Sequence, residues 1–220
     1  MAANFSSANL NESSTGLLLC GVLVGPIYVI TGLAQALTRE GFDMKKHALS
    51  QLSNGRLGWI QIANFLISGI LVIAGAFGLR KILKGSRAGT WGPLLLGVYG
   101  LGLIGAAIFI ADPGNGFPPG VTAPKTISTS GLLHFVFGGV GFYALIAAGF
   151  VFARRFRGLK QNGWAAYCII TAVGFLLSFG LIASGSKSSA ILLQFYFAVL
   201  WVWIWHTLLY LNIRRAAMVD

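Results

Sequence analysis

Three side chains that could do acid–base or metal chemistry lie at the ends of apolar stretches in a chain that has few others. The 220 residues include three histidines and five acidic residues. His47 lies in a polar segment, Asp112 precedes a Pro/Gly-rich turn, and His134 lies near the start of an apolar stretch. Two imidazoles and one carboxylate with an open fourth position are typical of a catalytic zinc centre. A nearby hydroxyl, Ser50 or Ser53, would then assist a metal-bound water.

Other features of the sequence weigh against that chemistry. The chain has no His-x-x-x-His pair, and neither serine lies in a nucleophile-elbow pattern. The third histidine, His206, lies too deep in the last apolar stretch to complete the site. We therefore expect first a structural hydrogen bond between Asp112 and His134, and we predict no cofactor and no resident metal.

Polar residues of the apolar stretches collect near one set of ends. Gln and Asn side chains occur there, and the opposite ends carry no matching set. Polar groups inside a membrane line cavities or pair with one another. The pattern therefore predicts a pocket on one side of the membrane for a lipid headgroup or a small polar molecule. Its candidate residues are His47, Ser50, Asn54, Gln61, Asn64, Asp112 and His134.

The elements that position these residues follow from composition. Apolar residues make up 56% of the chain and charged residues 10%, which excludes a soluble domain and a disordered chain. A bilayer core needs about 20 apolar residues per helix. We predict an all-α polytopic bundle whose six spans cover residues 16–37, 59–79, 91–111, 132–153, 164–183 and 190–211. They form one domain, 16–213, between a polar tail, 1–15, and a C-terminal tail, 214–220.

Basic residues set the predicted orientation. Ten Lys and Arg residues lie on the side of the two termini and six on the other side. Cytoplasmic segments carry the excess of Lys and Arg, so we predict a cell-membrane protein with both termini in the cytoplasm. The cluster Arg154, Arg155, Arg157 and Lys160 would contact anionic lipid, whereas short loops flush with the bilayer do not favour nucleic acid.

The first loop predicts a short amphipathic helix over residues 43–55. Asp43 can cap its start, and Gly55 can take the left-handed closing position. His47, Ser50 and Asn54 then share one face. Such a helix would lie on the bilayer surface or fold over the bundle as a lid.

Small and aromatic residues inside the spans have packing interpretations. Pairs such as Gly21 with Gly25 and Gly102 with Ala106 let helices approach closely, and so does the run Gly138, Gly139 and Gly141 in the fourth span. These residues leave a homo-oligomer seam as an alternative to packing within the chain. The aromatic residues of the last span, Trp201 to Tyr210, are interpreted as lipid-facing.

Several motifs resemble a bacterial and archaeal membrane family known as domain of unknown function 998. The resemblance covers about residues 16–210 and implies six spans and a membrane location, but no activity. It is carried by the segments 41–43, 47–55, 58–61, 63–65, 91–93, 112–120, 131–134 and 150–156.

Three functions stay open at this point. The first is an integral membrane protein that binds a lipid or small polar ligand, acting as an accessory or scaffold. The second is a metal-dependent hydrolase acting on lipid, built on His47, Asp112 and His134. The third is a transporter of a small solute or lipid, which is disfavoured because no charged residue is predicted inside a span.

Overall fold

The computed structural model describes residues 12–185 and 188–219. Most of the predicted polar tail 1–15 therefore lies outside the described residues. Six α-helices are each long and apolar enough to cross a membrane, which confirms the all-α, six-span prediction. They are α1 (Glu12–Thr38), α2 (Gly58–Ile82), α3 (Arg87–Ile108), α4 (Thr129–Gly158), α5 (Asn162–Ala183) and α6 (Ser189–Val219), with a 3-10 helix at Leu49–Ser53 in the first loop.

Local chemistry fixes several helix ends. The Ser86 hydroxyl accepts the amide of Gly89 at the start of α3, and the Ser128 hydroxyl accepts the amide of Gly131 at the start of α4. Helix α3 ends at Ile108, three residues before the predicted end, because the chain must become extended before Asp112-Pro113.

The six helices pack in chain order around a ring, and α6 packs back on α1 to close it. We call the side that carries the α1–α2, α3–α4 and α5–α6 connections the loop side. The other side, with Glu12, Val219 and the remaining two connections, is the terminal side.

Glycines bring helices together in the terminal half of the bundle. A Cβ added to Gly21 would lie 2.2 Å from the Tyr210 ring, and one added to Gly75 would lie 2.9 Å from Gly21 Cα. The same close approach joins α3 and α4, where Gly102 and Gly141 meet. The predicted small-residue pairs are thus used between helices of the same chain.

The aromatic residues of α6 are mostly buried, so their lipid-facing interpretation is wrong. Trp203, Trp205 and Tyr210 are at most 2% exposed, and only Trp201 reaches 37%. His206 is also fully buried, between the rings of Trp203 and Tyr210. Gly21 on α1 and Gly75 on α2 provide the space that the Tyr210 ring fills, and Gly25 lets the backbone of α6 approach at Trp203.

Candidate functional site

The first loop does not form the predicted helix over residues 43–55. A turn follows Asp43, whose Oδ1 accepts the Lys45 amide at 2.8 Å, and the 3-10 helix begins only at Leu49. That amide lowers the pKa of the Asp43 carboxyl. Gly55 does take the predicted left-handed conformation, with φ of +75°. Hydrogen bonds within the turn and to the third loop replace the helical hydrogen bonds that the prediction assumed.

His47 makes the main contacts between the first loop and the third loop. Its Nδ1 accepts the Asp43 amide at 2.9 Å, and its Nε2 lies 3.0 Å from the Asn115 carbonyl, which can only accept. Both ring nitrogens are therefore used. The side-chain amide of Asn115 also donates to the Lys46 carbonyl at 2.9 Å. His47 thus holds the first loop to the third loop and has no nitrogen left for a metal.

An aromatic cluster under these loops supports the His47 tie. Phe117 is 1% exposed and packs against the rings of Phe42 and His47. The Arg39 guanidinium lies 5.3 Å from the Phe117 centroid and donates to the Leu52 and Asn54 carbonyls. Partial burial lowers the pKa of Arg39. Arg39, which was counted above only among the six basic residues of this side, thus holds the end of the 3-10 helix against α1.

Asn54, the third member of the predicted polar face, also makes a structural contact. Its side-chain amide donates to the Ala111 carbonyl at 2.9 Å, just beyond the end of α3. The contact joins the first loop to the α3–α4 connection. His47, Ser50 and Asn54 therefore do not present one common face to a ligand.

Gln61 and Asn64 belong to a buried polar ladder between α1 and α2. Gln35 donates to Gln61 at 2.8 Å, and Asn64 donates to the Tyr28 carbonyl at 3.2 Å. Within the described chain, Gln35 Oε1 and Gln61 Nε2 are buried without a partner. The pairing predicted for intramembrane polar groups is present, but it faces the helix contact.

Asp112 and His134 do not bond to each other, so that expectation is wrong. The Asp112 carboxylate accepts the Ser128 amide at 2.9 Å and the Ser128 hydroxyl at 2.5 Å. It thereby holds the start of α4, where a negative charge is favourable. His134 Nδ1 instead donates to the Phe109 carbonyl at 2.7 Å. The two side chains each close a different part of the α3–α4 connection.

The seven predicted residues consequently do not form one polar pocket. Only Ser50 and His134 line a common cavity, and the other five hold loops and helices together. In residues 12–185 and 188–219, no group of three His, Cys, Asp or Glu side chains comes together that could hold a metal ion. The arrangement required for the hydrolase alternative is not assembled.

The cavity that Ser50 and His134 line has a volume of about 190 Å³ and lies inside the loop-side half of the ring. Ala48 to Ser50 form its roof. Tyr28 and Tyr99 line its deep end, and both rings pack on Trp203, at centroid distances of 4.7 and 5.7 Å. This aromatic layer closes the cavity towards the terminal side, which gives the transport alternative no support.

Helix α4 leaves the space open. His134, Gly138 and Phe142 are four residues apart and therefore lie on one face, and all three line the cavity. A Cβ added to Gly138 would meet no described atom within 4 Å. Phe135, another lining residue, is 50% exposed on the outer surface of the bundle. Sequence analysis noted this glycine run but assigned it to close packing, which holds only for Gly141.

The chemistry of the lining is apolar and uncharged. None of the described residues that line the cavity is Lys, Arg, Asp or Glu. Ser50 lies in the roof, and His134, whose Nδ1 donates to the Phe109 carbonyl, offers Nε2 as an acceptor when its ring is neutral. Such a site suits an apolar body with one neutral polar end.

The predicted lipid-contact cluster lies at the other end of α4. Arg154, Arg157 and Lys160 are exposed on the terminal side, and Lys160 takes a left-handed turn at φ of +58°. Arg155 is half-buried. Contact of these four residues with anionic lipid stays a prediction.

Comparison with known proteins agrees with the fold and adds a family. A family model described as a protein of unknown function, DUF998, matches residues 22–212, a range that reaches into all six helices. No curated protein and no solved structure matches the chain. The protein is a multi-pass integral membrane protein, and it belongs to the DUF998 family.

Proposed function

We propose that the protein binds a neutral amphiphile, taken from the lipid leaflet on its loop side, in the cavity beneath Ser50. The observation that carries the proposal is an uncharged cavity of about 190 Å³ in which one helix face, at Gly138, is left unfilled. Burying apolar surface of a ligand there gains about 25 cal/mol per Å².

The polar end of the ligand is constrained by the roof. Because His134 Nε2 is an acceptor, it calls for a hydroxyl or amide donor on the ligand. A charged headgroup would lose its hydration on entering the cavity and would find no opposite charge in the lining. Burying an unpaired charge in an apolar site is costly in free energy. A diacylglycerol or a similar lipid with a free hydroxyl has the matching chemistry.

The route of entry is lateral. Phe135 is half-exposed to the lipid side of α4, and Gly138 follows it on the cavity wall. An acyl chain entering at this position needs no passage through the tied loops above. The excess of basic residues on the terminal side supports a cell-membrane orientation with cytoplasmic termini, so the ligand would come from the outer leaflet.

Photo-crosslinking tests the proposal. The protein is placed in phosphatidylcholine vesicles with a small fraction of diacylglycerol that carries a diazirine in one acyl chain. We expect crosslinks on the cavity faces of α4 and α6, including Phe195 and Val199. Gly138→Leu fills the cavity and should abolish these crosslinks, because its Cβ has open space and the fold can accept it.

Gly174→Leu is the matched control. Gly174 is exposed on α5, lies outside the cavity lining, and also has open space around its Cβ. It should crosslink like the wild type. Equal labelling of wild type and Gly138→Leu, or stronger labelling by phosphatidylglycerol than by diacylglycerol at these positions, contradicts the proposal.

A further inference from the structure

A second lipid-sized space lies on the outer surface of the bundle, between α2 and α3 on the terminal side. It is a groove of about 430 Å³ whose walls are apolar along its length, including Ile73, Phe77, Leu94 and Leu101. Phe77, Leu94 and Leu101 are each more than half exposed. Because both helices span the membrane, this exposed groove faces lipid.

The groove ends at a fixed guanidinium group. Arg80 Nη1 donates to the Gly89 carbonyl at 2.8 Å and to the Thr90 hydroxyl at 2.7 Å. Both Arg80 and Thr90 line the groove. These two bonds use a single nitrogen and orient the group, so its remaining N–H donors are available to an anion at the membrane interface.

Charge at this end of the groove has one sign. The connection between α2 and α3 adds Lys81, Lys84 and Arg87, and no acidic residue occurs anywhere between residues 44 and 111. The length also suits one leaflet. From Thr90 to Leu101 the helical rise gives about 16 Å, close to half the roughly 30 Å hydrocarbon core.

A glycine creates the space for the chain. Gly97 lies in the groove, and a Cβ added to it would meet no described atom within 4 Å. Arg80 provides a positive charge at one end of the groove, and Gly97 provides an apolar slot along its wall. A phosphodiester above an acyl chain has the same arrangement.

We infer that this groove is a binding site for an anionic glycerophospholipid of the terminal-side leaflet, with its phosphate on Arg80 and one acyl chain beside Gly97. The site differs from the cavity in leaflet, in charge and in lining residues. It is also separate from the exposed cluster at the end of α4, because none of the four basic residues of that cluster lines the groove.

Native mass spectrometry of the detergent-purified protein, titrated with phosphatidylglycerol or phosphatidylcholine, tests the inference. The wild type should retain one phosphatidylglycerol more tightly than phosphatidylcholine. Gly97→Leu should remove that bound lipid, whereas Gly174→Leu should keep it. Arg80→Gln should weaken phosphatidylglycerol about fivefold, since one basic residue near a membrane surface contributes about 1 kcal/mol.

Arg157→Gln is the charge-matched control, because it removes one exposed basic group from the same side without touching the groove. It should change the affinity less than twofold. If Gly97→Leu retains phosphatidylglycerol, or if Arg157→Gln weakens it as much as Arg80→Gln, binding is general charge attraction and the inference is wrong. Since Gly138→Leu leaves the groove intact, it should retain phosphatidylglycerol.

Discussion

Two regions of the bundle, the contact of α1 and α2 with α6 and the wall of the cavity at Gly138, use the same residue type for opposite purposes. In the terminal half, the Tyr210 ring fills the space beside Gly21 and Gly75, and aromatic rings close the core. In the loop half, Gly138 lies beside open space under a roof of tied loops. Glycine makes room in both places, and the difference lies in whether another element supplies a large side chain. A glycine whose neighbouring space is occupied by another side chain contributes to stability, whereas a glycine beside empty space leaves room for a ligand.

The largest expected effect comes from exchanging these roles. Gly21→Leu places its Cβ 2.2 Å from the Tyr210 ring and should lower the free energy of unfolding by about 3 kcal/mol, the upper end of typical overpacking costs. Gly138→Leu should change it by less than about 1 kcal/mol, because glycine-to-leucine in an open helical position improves helix propensity. Thermal unfolding followed by tryptophan fluorescence in detergent measures both. Equal losses for the two variants would remove the distinction between the two regions.

The next effect concerns the roof of the loop half. His47→Ala leaves the Asp43 amide and the Asn115 carbonyl without their partner and opens a space beside Phe117. We expect a loss of about 2 kcal/mol, since an unsatisfied buried polar group costs about 1–3 kcal/mol. The same unfolding measurement applies. A loss below about 0.5 kcal/mol would show that His47 does not hold the two loops together.

A smaller effect is expected at the start of α4. Asp112→Asn keeps one acceptor for Ser128 but removes the charge near the helix N-terminus. Charge at this position contributes about 0.3–1 kcal/mol, so the variant should lose about that amount. If Asp112 were instead a metal ligand, added zinc would raise the wild-type unfolding temperature and leave Asp112→Asn unchanged, which would contradict the structural role.

The smallest effect is expected between α1 and α2. The double variant Gln35→Leu/Gln61→Leu replaces both members of a buried amide pair, each of which has one buried atom without a partner. Replacing both partners by apolar groups is close to neutral. Gln61→Leu alone should cost more, because the buried Gln35 amide loses its Gln61 acceptor and keeps only its bond to the Thr31 carbonyl. Chemical denaturation of the three proteins in detergent measures the difference, and a double variant less stable than the single would contradict this account.

Prediction from sequence succeeded where periodicity and composition decide the outcome. Six apolar stretches of sufficient length give six helices, and Gly55 takes the left-handed conformation expected of it. The same reasoning failed for Trp203 and Tyr210, because an aromatic residue in a span fits equally well against lipid or against another helix, where Trp203 packs on Tyr28 and Tyr210 fills the space beside Gly21. Which one applies depends on the packing of α6 against α1, and neither segment shows that by itself.

The candidate site illustrates the same limit for polar residues. His47, Asn54 and Asp112 were chosen because polar groups are costly near a membrane, and they do make essential hydrogen bonds. His47 and Asn54 bond the carbonyls of Asn115 and Ala111 in another connection, and Asp112 bonds Ser128 sixteen residues away; such distant partners leave no trace in a sequence pattern. His134 and Ser50 do line the cavity, yet the cavity itself depends on glycines that sequence analysis assigned to close packing.

Native mass spectrometry with diacylglycerol tests the central claim most directly. Wild-type protein and Gly174→Leu should each retain one diacylglycerol, Gly138→Leu should retain none, and Gly97→Leu should retain it because its groove lies elsewhere. Retention of diacylglycerol by Gly138→Leu at the wild-type level would contradict the claim that the loop-side cavity is a ligand site.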